Sequence, residues 1–150
     1  MRMLNRLGLL ALIGVVVVSA CDDDETGPTP ERYTATLSGA NETPPVTTTA
    51  AGTATFTVNG NNLDYTVNIT NWPAGRTVTA AHIHCAPPAG QTTCPPLKGW
   101  PAGSITTTGG SGTIALSDAE LAGIRGGGTY FNVHSSQNTG GEIRGNLVRQ

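Results

Sequence analysis

The chain has 150 residues, of which 20 are glycine and 10 are proline, and only 12% are charged. This length suits one domain of ordinary size, and the composition excludes a long helical bundle or coiled coil, which would be rich in Ala, Glu, Lys and Leu. The net charge of -2 leaves no basic face for nucleic acid, and the 37% hydrophobic content argues against a disordered acidic tail.

The first twenty residues have the features of an export signal. Two arginines precede an unbroken apolar stretch over residues 7–18, which is shorter than the roughly 20 residues that a membrane-spanning helix needs. The following Val18-Ser19-Ala20-Cys21 resembles the lipobox of bacterial lipoproteins. This resemblance implies a signal peptide over residues 1–20 and a mature chain whose Cys21 carries lipid on the extracytoplasmic side of a bacterial membrane, in the cell envelope. The alternative is an ordinary secretory signal with a chance cysteine.

Residues 21–31 form a predicted tether. Four acidic residues at positions 22–25 repel one another, and the glycine and prolines after them disfavour a helix. We therefore expect an extended spacer between the lipid and a single domain over residues 32–150. The acidic run could also bind calcium, but no glycine-hinged loop or distant carboxylate completes such a site in the sequence.

From residue 33 onward, the hydrophobic pattern has the period of two that is typical of half-buried strands. The predicted strands cover residues 33–37, 53–58, 63–69, 77–84, 111–116, 129–135 and 142–148. Asn59-Gly60-Asn61-Asn62 predicts a hairpin turn, because Asn and Gly tolerate positive φ. Ser117-Asp118-Ala119-Glu120 has the spacing of a capping box and predicts one short helix, which three glycines end. The pattern predicts an all-β fold, an antiparallel, Greek-key-like β-sandwich or barrel with one short helix.

Two cysteines remain once Cys21 is assigned to the lipid. Cys85 and Cys94 are an even pair in an exported chain, where oxidation is favoured, and we expect them to form a disulfide. The loop between them has no pattern that would pack by itself. Closing this loop lowers the entropy of the unfolded chain, which stabilises the fold by roughly 3 kcal/mol. The bond would therefore serve stability or hold a surface shape.

Four separated motifs resemble, in order and spacing, the CHRD domain named after chordin. The motifs are Leu37-Ser38-Gly39-Ala40-Asn41-Glu42-Thr43-Pro44-Pro45-Val46, Thr79-Ala80-Ala81-His82-Ile83-His84, Tyr130-Phe131-Asn132-Val133-His134-Ser135 and Gly140-Gly141-Glu142-Ile143-Arg144-Gly145. The resemblance runs from about residue 33 to residue 147 and implies an immunoglobulin-like β-barrel with limited similarity to the copper/zinc superoxide dismutases. It implies no settled biochemical function, and growth-factor binding by chordin does not transfer to one lipid-anchored copy.

The three histidines are candidate metal ligands. His82 and His84 are two residues apart on a predicted strand, so their side chains leave the same face with Cα atoms about 6.5 to 7 Å apart. Because Ile83 is expected to face the core, both point away from it, and the same alternation places His134 outward. The pattern resembles the HxH strand of the copper/zinc dismutases. One hypothesis is a Cu or Zn site on these three residues; the other is that the imidazoles hydrogen-bond to an overlying loop and orient it.

Glu42, Glu142 and Arg144 form a second candidate group. Glu142 and Arg144 alternate with Ile143 and share a polar face, and the planar fork of Arg144 suits either carboxylate. One interpretation is an acid/base pair of carboxylates, as in glycosidases. The other, which we favour, is a structural ion pair that clamps the first motif to the last strand.

The leading functional hypothesis is a lipid-anchored, extracytoplasmic β-domain that acts as a non-catalytic binding module for a protein, a glycan or another surface ligand. The alternative is a metal-binding or redox-related protein that uses its three histidines. No motif for nucleophilic or nucleotide chemistry is present in the sequence. A dismutase activity is not expected, because it would call for further histidines and a ligand aspartate.

Overall fold

The computed structural model describes residues 29–91 and 93–150. The predictions for the signal segment, for the lipid on Cys21 and for most of the tether lie outside the described residues. No helix in the described part of the chain is both long enough and apolar enough to cross a membrane.

The described residues form nine strands and one α-helix. The strands are β1 (Glu31–Ser38), β2 (Ala51–Asn59), β3 (Asn62–Thr70), β4 (Val78–His84), β5 (Pro96–Gly99), β6 (Gly109–Ala115), β7 (Tyr130–Ser135), β8 (Ile143–Asn146) and β9 (Val148–Arg149), and the helix α1 is Asp118–Arg125. All strands join one antiparallel sheet in the order β5-β4-β7-β8-β1-β2-β3-β6, with β9 paired to β1. The predicted all-β class with one short helix is confirmed.

Alternation of apolar and polar residues builds the sheet as expected. Along β3, buried and exposed residues alternate without exception. The hairpin between β2 and β3 pairs Asn59 with Asn62, and Gly60 between them has a φ of +59°, which a glycine adopts without steric cost. The predicted hairpin is therefore confirmed.

The sheet curls so that its two halves face each other across one core. Phe56 on β2 and Phe131 on β7 belong to strands that are not neighbours in the sheet, yet their ring centroids are 5.4 Å apart. Trp100 contacts both rings, at 5.9 and 5.2 Å. This aromatic contact closes the fold and leaves the opposite face of β4 and β7 free for polar side chains.

The short helix begins at the predicted capping box. The Ser117 side chain accepts a hydrogen bond from the backbone N–H of Glu120, and the Glu120 carboxylate accepts one from the backbone N–H of Ser117. Leu121 and Ile124 are buried against the core, and the helix ends at Gly126. The helix thus covers one end of the sheet with two residues of its apolar side.

Two features of the sheet differ from the sequence prediction. The unpredicted strand β5 pairs with β4 at the edge of the sheet, where a proline at the first position removes no hydrogen bond that the ladder needs. The predicted strand over residues 142–148 is divided, because β8 pairs with β7 whereas β9 pairs with β1. The division follows from the pairing of β9 with β1, which is distant in the sequence.

Candidate metal centre

Three histidines converge on the polar face of β4 and β7. His82 and His84 lie on β4, and His134 lies on the adjacent β7, where it is paired with Ala80. The intervening Ile83 is fully buried in the core, so the two β4 histidines point to the other side of the sheet. One ring nitrogen from each histidine lies within 4.8 Å of the other two. The fold therefore brings together all three residues of the candidate site.

Backbone carbonyls determine which nitrogen carries the proton in two of these rings. The Nδ1 of His84 lies 2.6 Å from the carbonyl oxygen of Cys94, and the Nδ1 of His134 lies 2.9 Å from that of Thr139. Because a carbonyl oxygen only accepts, each Nδ1 donates and each Nε2 keeps its lone pair. The Nε2 of His134 accepts from the Nδ1 of His82 at 2.9 Å. The buried Nε2 of His84 has no hydrogen-bond partner among the described residues.

Two of the three imidazoles have pKa values that keep them neutral at pH 7. Burial, together with the charges of His134 and His84, lowers the pKa of His82 to about 4. Burial also lowers the pKa of His134, although its hydrogen bond to Thr139 acts in the opposite direction. The neutral imidazole is the form that binds metals, so these rings are ready as ligands at pH 7.

Two loops cover the cluster. The loop after β4 is closed by a disulfide between Cys85 and Cys94, whose Cα atoms are 5.5 Å apart, and the predicted pairing is confirmed. The loop between β7 and β8 supplies the carbonyl of Thr139. As a result, His84 and His134 are each only 9% exposed, although they point away from the core.

An aromatic stack also orients His84. Its ring is nearly parallel to that of Tyr130, with an angle of 3° and centroids 4.6 Å apart. The guanidinium carbon of Arg144 lies 3.4 Å from the centre of the Tyr130 ring, a cation–π contact. The stack and the Cys94 carbonyl together restrict rotation of the imidazole.

The distances between the histidine nitrogens are close to those between the ligands of a bound transition metal. With metal–nitrogen bonds of about 2.0–2.1 Å, two nitrogens on one tetrahedral ion lie about 3.3 Å apart. The distance of 2.9 Å between His82 Nδ1 and His134 Nε2 is slightly shorter than this value. The three nitrogens all lie within 4.8 Å of one another, a limit that is longer than this value. A three-nitrogen site would be complete once the rings rotate to this separation and the proton of His82 moves from Nδ1 to Nε2, which frees the Nδ1 lone pair.

A buried carboxyl group lies under the loop that carries Thr139. Glu42 is 7% exposed, and its Oε1 has no hydrogen-bond partner in the described part of the chain. Gly141 has a φ of +147°, and a Cβ there would come within van der Waals overlap of the Glu42 carboxylate, so only glycine fits. Burial raises the pKa of Glu42 to about 7, while the Arg144 charge and a hydrogen bond from Asn132 oppose the rise.

The second candidate group is divided between two places. Glu142 is fully buried and forms its salt bridge with Arg76, at 2.6 Å. The charge of Arg144 acts on Glu42, and its guanidinium lies over Tyr130. The three residues occupy one region of the fold, but the cation at Glu142 comes from the connection between β3 and β4.

Several contributing residues were not singled out in the sequence. Asn132 shares the polar face with Tyr130 and His134, and the alternation along residues 130–134 could have indicated it. Gly99 on β5 packs against the His82 ring, where a Cβ would lie 3.2 Å from Cδ2. Nothing local in the sequence marks Gly99, Arg76 or the Thr139 carbonyl, because each acts through a partner that is distant along the chain.

Comparison with known proteins supports the assignment that the sequence motifs suggested. The family model for the CHRD domain matches residues 33–147, which is well over half of the chain and includes all three histidines and both cysteines of the disulfide. Comparison with curated proteins and with solved structures gives no significant match. The match spans the strands from β2 to β8, together with most of β1, and so covers the core and the histidine cluster. The chain therefore belongs to the CHRD domain family.

Proposed function

We propose that this chain is a lipid-anchored, extracytoplasmic domain that binds one copper or zinc ion through His82, His84 and His134. The observation that carries the proposal is the convergence of three imidazole nitrogens within 4.8 Å on a face that two loops cover. Imidazole nitrogen is a good ligand for both metals.

The hydrogen bonds to the loops support the metal site rather than replace it. They use only the Nδ1 atoms of His84 and His134, which is how protein carbonyls commonly orient metal-binding histidines. A purely structural role would leave the buried Nε2 of His84 without a partner, at a cost of about 1–3 kcal/mol. A metal ion would satisfy this lone pair.

With three protein ligands, the proposed site would leave one coordination position of the metal open. Closed structural zinc sites have four protein ligands, whereas three leave a position for water or another ligand. Cys85 and Cys94 are bonded to each other and are thereby removed as ligands. The domain would therefore present its metal to a further molecule.

Elemental analysis of the mature chain, purified in detergent without a histidine tag, tests the proposal. We expect about one equivalent of copper or zinc per chain, and less than about a tenth in His84→Ala, because a site with two remaining imidazoles loses most of its affinity. Asn68→Ala, an exposed position on β3, is the matched control and should keep the metal. A wild-type chain that stays metal-free after incubation with both ions would contradict the proposal.

That negative result would leave the binding-module hypothesis. The groove beside the half-buried Trp72, about 470 Å³ in volume and also lined by Arg76 and Thr108, is where a protein or glycan of the cell surface would then be sought. An aromatic side chain bordered by polar groups suits such a ligand.

The lipid anchor has its own test. Acyl chains partition into a membrane at about 0.8 kcal/mol per buried methylene, so a chain lipidated at Cys21 should be extracted only by detergent. We expect Cys21→Ser to move the protein into the soluble fraction, whereas Ser19→Ala, which keeps the cysteine, should remain anchored. Membrane retention of Cys21→Ser after a high-salt wash would overturn the anchor.

A further inference from the structure

The disulfide and the candidate metal site share one short piece of backbone. Cys85 directly follows the ligand His84, and the carbonyl oxygen of its partner Cys94 accepts the hydrogen bond from His84 Nδ1 at 2.6 Å. The backbone of Cys94 also hydrogen-bonds to the hydroxyl of Tyr130, whose ring stacks on His84. Cys94 therefore holds the ligand and the ring that packs on it.

The disulfide is the one covalent link that ties Cys94 to the end of β4, and the loop before Cys94 adds few further contacts among its described residues. The segment from residue 86 to residue 91 is largely exposed, and the hydrogen bond from Gln91 N–H to the Pro88 carbonyl is internal to the loop. The contact of Cys85 N–H with the Pro95 carbonyl is long, at 3.4 Å. The disulfide is thus the covalent restraint on the Cys94 carbonyl, and it acts together with the pairing of Pro96 and His84 in β5 and β4.

We propose that the Cys85–Cys94 disulfide is a redox-dependent clamp on the metal site, an inference that rests on the proposed metal-binding function. In the oxidised chain, the Cys94 carbonyl holds the proton of His84 on Nδ1 and leaves the Nε2 lone pair for the metal. In the reduced chain only non-covalent contacts hold the carbonyl near the imidazole, so both tautomers of His84 become accessible. The tautomer with its proton on Nε2 cannot bind the metal through that atom.

The redox step requires an external dithiol, either a small molecule or a thioredoxin-like protein. One thiolate of the dithiol attacks a sulfur of the disulfide and forms a mixed disulfide, and its second thiol then displaces the protein sulfur. Two electrons and two protons pass to Cys85 and Cys94, which become thiols, and the dithiol becomes a disulfide. The bond between the two cysteines breaks, and no metal electron is involved.

Zinc affinity of the full mature chain in detergent tests the clamp, with Zn²⁺ as the probe because it has no redox chemistry of its own. We expect the dissociation constant to be about 10- to 100-fold weaker in Cys85→Ala/Cys94→Ala than in the oxidised wild type, the usual effect of losing an outer hydrogen-bond partner of a metal-binding histidine. Wild type reduced with a dithiol, then freed of it under anaerobic conditions, should show the same loss. The reduced wild type also replaces the double variant in the comparison if the double variant does not fold.

A metal-free readout separates the clamp from general loss of stability. The imidazole nitrogen resonances of His84 should show a single Nδ1–H tautomer in the oxidised chain and a mixture of tautomers without the disulfide. Ile124→Val, which removes one methylene from the core under the helix and touches none of the three histidines directly by sequence or pairing, is a control for destabilisation and should keep both the tautomer and the zinc affinity.

The outcomes distinguish the two proposals. Failure of the oxidised wild type to bind either zinc or copper would overturn both of them. Equal affinities for the oxidised wild type and the double variant, with one tautomer in each, would overturn the clamp and leave the metal site intact. Tighter zinc binding by the reduced wild type would also overturn the clamp, because the freed thiolates would then be acting as ligands.

Discussion

Replacing Glu142 with alanine is expected to lower the free energy of unfolding by about 3–5 kcal/mol, because it removes one partner of a buried ion pair. The carboxylate is fully buried and joins four parts of the chain. It pairs with Arg76 at 2.6 Å, accepts hydrogen bonds from Ser135 Oγ at 2.6 Å and Asn138 Nδ2 at 2.7 Å, and contacts the hydroxyl of Thr48. The alanine variant leaves all of these donors without their acceptor.

Chemical denaturation of the two chains measures this effect, with Glu31→Ala as the matched control. Glu31 also pairs with two arginines, Arg125 at 2.6 Å and Arg149 at 3.4 Å, but near the protein surface. Its removal should cost less than about 1 kcal/mol. If both variants lose the same free energy of unfolding, the buried network around Glu142 contributes no more stability than the ion pairs of Glu31.

The acid side of the stability profile gives a second measurement on Glu142. Burial raises the pKa of its carboxyl group, but hydrogen bonds from Ser135, Thr48, Asn138 and Arg76 outweigh burial and hold the pKa below 4.5. A lowered folded-state pKa contributes stability that is present above the unfolded value and is lost as the pH falls through the folded value. Below about pH 4.5, the difference in stability between wild type and Glu142→Gln should therefore shrink.

Replacing Glu42 with glutamine is expected to stabilise the domain above pH 7, in contrast to any change at Glu142. Burial raises the pKa of Glu42 to about 7 from an ordinary value of 4.5. A raised carboxyl pKa means that ionisation opposes folding, so the penalty is absent below about pH 4.5, grows between pH 4.5 and 7, and is complete above pH 7. It is on the order of 3 kcal/mol, and the neutral, isosteric glutamine avoids it.

This prediction is tested by the difference in unfolding free energy between wild type and Glu42→Gln, and not by the wild type alone. His82 has a pKa lowered to about 4, so its own linkage makes the wild type more stable as the pH rises from 4 to 6.5 and partly masks Glu42. His82 is the same in both chains and cancels in the difference. The free energies of unfolding of wild type and Glu42→Gln, measured at pH 4.5 and pH 8, should agree more closely at pH 4.5. A difference between the two chains that does not change with pH would contradict the raised pKa of Glu42.

The two glutamates show how the loop between β7 and β8 is held next to the histidine cluster. Glu142 binds Asn138 from one side, and Glu42 lies under Gly141 at the other end of the same loop. The carbonyl of Thr139, between these two anchors, accepts the hydrogen bond from His134. Changes at either glutamate are thus expected to reach the histidine cluster through this loop.

Much of the fold was predictable because it depends on neighbours in the sequence. The alternation in β3, the turn at Gly60 and the capping box at Ser117 are local patterns, and each occurs in the structure as predicted. The shared face of His82 and His84 belongs to the same class, since side chains two apart on a strand always point the same way. The number of cysteines and the predicted export signal were likewise enough to predict the disulfide.

The remaining features of the site depend on which distant segments meet. The sequence by itself determined an all-β domain of the CHRD family, the direction of each histidine and the pairing of Cys85 with Cys94. The tertiary structure alone decided that β4 lies beside β7, that Arg76 reaches Glu142, and that the Cys94 carbonyl meets His84. Local periodicity reports only how a segment divides its side chains between core and solvent, whereas strand pairing and loop placement are set by the packing of the whole core, which no single segment encodes.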